Sequence, residues 1–140
     1  MLTTVLQSIG NTPLLHLAPL CADLPGKVWL KLENRNPAGS IKDRVAFHMV
    51  DRALDRGDLV RGGTLVEATS GNLGIGLALV ASVRKLKCVL TMPETMSVER
   101  RRLLAAMGAE VVLTPAAEGM EGSLRMAEKL AKERNGLILG

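Results

Sequence analysis

Lys42 and the run Thr69-Ser70-Gly71-Asn72 are the residues whose types and settings best suit chemistry. Ser40-Ile41-Lys42-Asp43 has the S-x-x-D form of a capping box, with Ser40 at the N-cap, Lys42 in the first turn and Asp43 at the third helical position. The positive end of a helix dipole suits Asp43 and disfavours an ammonium group at Lys42. At about 100° per residue, Lys42, Ala46, Met49 and Ala53 share one side of the helix, opposite Arg44, Asp51 and Asp55, so Lys42 is expected on the apolar stripe. Desolvation and the dipole would then both favour the neutral amine, the form that attacks a carbonyl to make a Schiff base. The plainer alternative is a lysine that snorkels to water from the helix end.

Thr69-Ser70-Gly71-Asn72 falls between a β-rich run and an all-apolar helical run, at the carboxyl end of a strand where open α/β sheets bind ligands. Two hydroxyls, a carboxamide and the free N–H groups of a helix start suit a carboxylate or phosphate, and Gly71 lets a ligand approach the backbone. A simple capped turn is the alternative. The order Gly71, Gly74, Gly76 is G-x-x-G-x-G rather than the dinucleotide G-x-G-x-x-G, and no G-x-x-x-x-G-K-[ST] occurs, so NAD and ATP sites are not supported. Gly74 and Gly76 are expected to let their helix approach the sheet closely. His16 and His48 lack nucleophile or ligand partners in sequence, the methionines read as packing or loop residues, and Glu99-Arg100-Arg101-Arg102 reads as a solvated helix face, with anion binding the lesser alternative.

The elements that must position these residues follow βαβ grammar. Strands are predicted over 28–32, 64–67, 87–92, 110–114 and 137–139, and helices over 41–56, 73–85, 98–107 and 123–134. Asn36-Pro37-Ala38-Gly39, Gly57, Pro93, Gly108 and Gly136 punctuate them, and residues 115–119 read as an exposed loop. The fold class is α/β, a parallel sheet with helices on both faces in three αβα layers. The first 26 residues are less regular, and the apolar run at 137–139 expects neighbours, as in part of a longer protein.

The 140 residues, 47% apolar and 23% charged, suffice for one packed domain and exclude disordered or collagen-like structure. Cys21 and Cys88 lie far apart without a CxxC, which disfavours a zinc site or a disulfide scaffold and fits a reducing compartment, the cytoplasm. The apolar run 73–83 contains Gly74, Gly76 and Ser82 and falls short of the ~20 residues of a membrane span. Nothing resembles a signal peptide. A net charge of +4 with one Trp, one Phe and no Tyr leaves nucleic-acid binding unsupported.

Several segments together carry a resemblance: Ile9-Gly10-Asn11-Thr12-Pro13-Leu14, Lys31-Leu32-Glu33, the run from Asn36 to Arg44, Glu67-Ala68-Thr69-Ser70-Gly71-Asn72, and Met92-Pro93-Glu94-Thr95-Met96-Ser97. Nearly the whole chain, in order, resembles the cysteine synthases, or O-acetylserine sulfhydrylases, with wording closest to the B type. The resemblance implies the N-terminal part of the tryptophan-synthase-β-like fold, with pyridoxal 5′-phosphate carried covalently by Lys42. It implies that Asn72 bonds the cofactor's 3′-oxygen and that Thr69, Ser70, Gly71, Asn72 and Leu73 grip the carboxylate of an amino-acid substrate. Lys42 would remove the α-proton of O-acetylserine, acetate would leave, and sulfide would add. Residues 1–35 would belong to the large domain and 36–140 to a small mobile domain. A cytoplasmic homodimer and a serine acetyltransferase partner are further implications.

Two departures qualify the resemblance. Leu73 stands where the family usually has threonine, removing one hydroxyl contact. The family's glycine-rich loop for the cofactor phosphate, and its hydroxyl residue facing the pyridine nitrogen, lie outside these 140 residues, so turnover by this chain alone is not expected. A cystathionine β-synthase-like enzyme and a non-catalytic α/β fragment are the alternatives.

Overall fold

A computed structural model describes residues 1–139. Two short strands come first: β1 (Leu14–His16) and β2 (Trp29–Lys31) pair antiparallel, with Leu15 opposite Leu30 and His16 opposite Trp29. The expected strand at 28–32 therefore exists but leaves the parallel sheet. No helix lies between β1 and β2, only a 3-10 turn at Ala18–Leu20 within a loop containing Pro19, Pro25 and Gly26, and a loop can join antiparallel strands without a crossover. The His16 and Trp29 rings stack with centroids 4.6 Å apart. All six strand residues are exposed.

The remainder is βαβ. After α1 (Lys42–Arg56) come β3 (Thr64–Ala68), α2 (Asn72–Arg84), β4 (Lys87–Pro93), α3 (Val98–Ala106), β5 (Glu110–Thr114), α4 (Gly119–Arg134) and β6 (Leu137–Ile138). The four strands are all parallel in the order β5-β4-β3-β6. The chain steps outward from β3 to β5, then returns through α4 to place β6 on the other side of β3. The strand order thus reverses beside β3, which makes its carboxyl end a favoured ligand position.

Alternation along the strands divides the core. Leu65, Cys88, Leu90 and Met92 face the layer of α1, α2 and α3, whereas Val66 and Val89 meet Ala127, Leu130 and Ala131 of α4 on the other face. These are the three layers expected of the sequence. Leu65, Leu77 and Leu90 are wholly buried, each removal from water contributing about 1.5–3 kcal/mol. The central helix, α2, buries Gly74, Ile75, Gly76, Leu77, Ala78, Val80 and Ala81, so nearly every side faces protein.

α4 begins four residues earlier than expected and is preceded by a 3-10 turn at Ala116–Glu118, where the sequence reads as a loop. Gly119 and Gly122 masked the helical period there. None of the described helices is long and apolar enough to cross a membrane.

Candidate functional site at two helix starts

α1 and α2 cross with almost no space between them. A Cβ on Gly76 would lie 3.0 Å from Ala46 Cβ and 3.1 Å from the Lys42 carbonyl oxygen. Gly74 plays the part expected of both glycines, since its Cβ would meet Thr69 Cγ2 at 2.8 Å and Leu90 at the sheet. Gly76 instead serves the contact between helices. The backbone of Lys42, first residue of α1, therefore lies against α2 one turn beyond Asn72, the first residue of that helix. Lys42 and the 69–73 loop thus share one end of the layer.

The buried line of α1 is Asp43, Ala46, Val50 and Ala53, spaced three, four and three residues apart. It differs from the expected stripe at two places, with Asp43 in place of Lys42 and Val50 in place of Met49, and the first of these falls on the site. The Lys42 side chain is exposed and Asp43 is fully buried, so the burial expected at the amine falls on the carboxyl next to it. Asp43 Oδ2 accepts the Ala38 N–H at 2.6 Å, while burial holds the carboxyl above its ordinary range. Ser40 Oγ accepts from the Lys42 N–H at 3.1 Å, but α1 starts one residue later than expected, so Ile41 rather than Ser40 is its N-cap and no side-chain cap bond is made.

A charged cluster behind Asp43 fixes the start of α1. Glu33 accepts from Arg44 Nε at 2.8 Å, Arg44 Nη2 at 3.0 Å, the Thr12 hydroxyl at 2.6 Å and Asn36 Nδ2 at 2.9 Å. Asn36 Oδ1 in turn accepts the Gly10 N–H at 2.8 Å. The Arg44 guanidinium, aided by Thr12, lowers the Glu33 carboxyl to about 2. The motifs around Gly10, Glu33 and Arg44 are thereby one hydrogen-bonded unit, a grouping the sequence does not disclose because directly bonded members, Thr12 and Arg44, lie 32 residues apart.

The second arm follows β3. Thr69 is buried, its N–H donating to the Thr91 carbonyl at 3.0 Å and its Oγ1 accepting the Gly71 N–H at 3.3 Å. Gly71 and Asn72 are exposed, Ser70 and Leu73 half-buried, and Leu73 leans on the core of α1 and α2. The space where a Gly71 Cβ would stand is open to 4 Å, so a ligand could approach the backbone. One expected N–H, that of Gly71, is already engaged.

In the run 99–102, Glu99 and Arg102 are exposed as expected of a solvated face, but Arg100 and Arg101 are half-buried. Arg100 Nη1 donates to the Ser70 carbonyl, and Arg101 donates to the Met96 carbonyl at 2.9 Å and to that of Glu94. Their spacing in sequence gives no sign of these acceptors. By contrast, a cavity of about 670 Å³ lies at the opposite, amino-terminal edge of the sheet, lined by Thr64, Lys87, Glu110 and Arg134. Cys88, beside it, has its thiol pushed up to about 12 by burial and is no nucleophile.

Residues 5–140 match the family model described as pyridoxal-phosphate dependent enzyme. The chain belongs to this family. It is 50% identical to a cysteine synthase of a Flavobacterium species over 91% of its own length and 41% of the relative's, and 46% identical to cysteine synthase B of Escherichia coli over 99% of its length and 46% of the relative's. The crystal structure of a cysteine synthase from Entamoeba histolytica superposes with a TM-score of 0.93 at 36% identity, covering 99% of this chain and 43% of that one. The resemblance read from the motifs is thus borne out, type B included, and the chain spans less than half the length of these relatives.

The donor set fits the reactive end of the family's cofactor. Lys42 offers an exposed primary amine, Asn72 an exposed carboxamide, and α2 the first-turn N–H groups of a helix of 13 residues beside the open space at Gly71.

Proposed function

We propose that the intact protein is a cysteine synthase, which converts O-acetylserine and sulfide to cysteine and acetate with pyridoxal 5′-phosphate. The observation that carries this reading is the abutment of two helix starts, one bearing the exposed Lys42 amine and the other the 69–73 loop, in a chain 46% to 50% identical to cysteine synthases. The cofactor, when bound, supplies an electron sink for cleavage at the substrate's α-carbon.

Each chain group then has a task. Lys42 would hold the cofactor through its amine and, as the free amine, would take the proton from the substrate's Cα. The hydroxyls of Thr69 and Ser70 and the N–H groups opening α2 receive the substrate carboxylate, and Asn72 holds the cofactor ring through its carboxamide. With the carboxylate fixed, the Cα–H bond can be held towards Lys42; acetate leaves from Cβ with the C–O bonding pair, the sulfur of HS⁻ forms the new bond at Cβ, and Lys42 returns its proton to Cα. The carboxylate is present before and after reaction, so this binding chiefly orients the substrate.

The intact protein supplied with pyridoxal phosphate should form cysteine from O-acetylserine and sulfide, and Lys42→Ala should lower kcat by about a hundredfold or more. Product from homocysteine in preference to sulfide would contradict the assignment of the nucleophile. Full activity in Lys42→Ala would contradict the role of the lysine.

A further inference from the structure

We propose that Arg100 is a positioning residue that locks the Ser70–Gly71 peptide plane and so aims the start of α2 at the substrate carboxylate. The inference rests on reading residues 69–73 as the carboxylate loop. Both polar ends of that one peptide unit are held. Its carbonyl, that of Ser70, accepts from Arg100, and its N–H, that of Gly71, donates to Thr69 Oγ1 at 3.3 Å. A peptide next to glycine is otherwise the cheapest place in the loop for a flip, since Gly71 has no side chain and nothing within 4 Å of its Cβ position to restrain it.

The partners of the lock are themselves fixed. Thr69 is buried with its N–H on the Thr91 carbonyl at 3.0 Å. Arg100 lies in the first turn of α3, where Ser97 Oγ accepts its N–H at 3.4 Å, and the neighbouring Arg101 binds the carbonyls of Glu94 and Met96. The guanidinium thus ties the loop after β3 to the segment after β4. A flipped Ser70–Gly71 peptide would turn its carbonyl dipole towards the place assigned to the carboxylate, so the lock also keeps a negative dipole away from an anion.

The test uses the intact protein with Arg100→Met, which keeps the stem and removes the donors, Arg100→Lys, which keeps charge and one donor site, and Arg102→Met as an exposed neighbour. Amide hydrogen exchange at Gly71 is followed with KM and kcat for O-acetyl-L-serine. The lock predicts Gly71 exchange about tenfold faster in Arg100→Met, KM raised about tenfold with kcat within about twofold, partial recovery in Arg100→Lys, and no change in Arg102→Met. Unchanged exchange and KM in Arg100→Met would overturn it. So would losses spread over all of α3 in both Arg100 variants, which would mark a merely structural arginine. Faster Gly71 exchange with unchanged KM would overturn the link to the carboxylate. Failure of the unmutated protein to use O-acetyl-L-serine would instead remove the functional reading on which the inference rests, while the exchange result would still decide whether the peptide is locked.

Discussion

The two helix starts that form the site are held in opposite ways. At α1 the fixing groups are charged: Glu33 binds Arg44, Thr12 and Asn36, and the buried Asp43 binds the Ala38 N–H. At α2 the loop rests on backbone groups, one threonine hydroxyl and glycines, with Arg100 as its single charged tie among the described bonds. A base that takes a proton from one carbon needs a fixed backbone beneath a free side chain, and Lys42 has both. A loop that receives a carboxylate needs accessible N–H groups, and beside the held Ser70–Gly71 peptide the first amides of α2 supply them. The contrast reflects proton transfer at one arm and anion reception at the other.

Gly76, where the arms meet, offers the strongest way to break this arrangement. Gly76→Val should force α1 away from α2, destabilise the fold by about 1–3 kcal/mol in urea titrations and impair attachment of pyridoxal phosphate at Lys42. A fully stable variant with normal attachment would show that the close crossing does not set the site.

The next prediction uses pH within the charged arm. Glu33 is lowered to about 2 from 4.5, so its stabilising contribution is fully present above pH 4.5 and is lost as pH falls towards 2. Asp43 is raised above 3.8 by burial, so the sign is opposite: its ionisation is unfavourable to the folded state, and stability declines as pH rises past 3.8. Urea midpoints against pH should lose the acid-side slope in Glu33→Gln, and Asp43→Asn should gain on the unmutated protein as pH rises. Asp43→Ala, which orphans the Ala38 N–H, should cost about 1–3 kcal/mol. Parallel pH curves for all variants would contradict the contrast.

The smallest effect is expected in the second arm. Leu73→Thr adds a hydroxyl in the carboxylate loop at a half-buried position and should lower KM for O-acetylserine about threefold, with a stability loss of about 1 kcal/mol from lost packing. An unchanged or raised KM would contradict the role given to that position.

The parallel layer was legible because its strands are short apolar runs separated by long helical ones, and because glycine and proline mark the joints. The N-terminal ribbon was not: β1 has three residues, too few for a period, and only long-range pairing reveals that β2 joins it. In the site, residue types indicated Lys42 and residues 69–72, but an angular estimate placed Lys42 on the buried line. Asp43 occupies that line, with Oδ2 accepting the Ala38 N–H and Oδ1 buried without a hydrogen-bond partner. The role of Arg100 was hidden because its acceptor is a backbone carbonyl 30 residues away.

The most direct measurement of the central claim, that Lys42 at the joined helix starts is the reactive amine, is borohydride reduction of the protein with pyridoxal phosphate followed by peptide mapping. Reduction should leave a pyridoxyl group on Lys42 in preference to Lys27, Lys31, Lys85, Lys87, Lys129 and Lys132. Label spread over the surface lysines of folded, unmutated protein, or absent from Lys42, would contradict it.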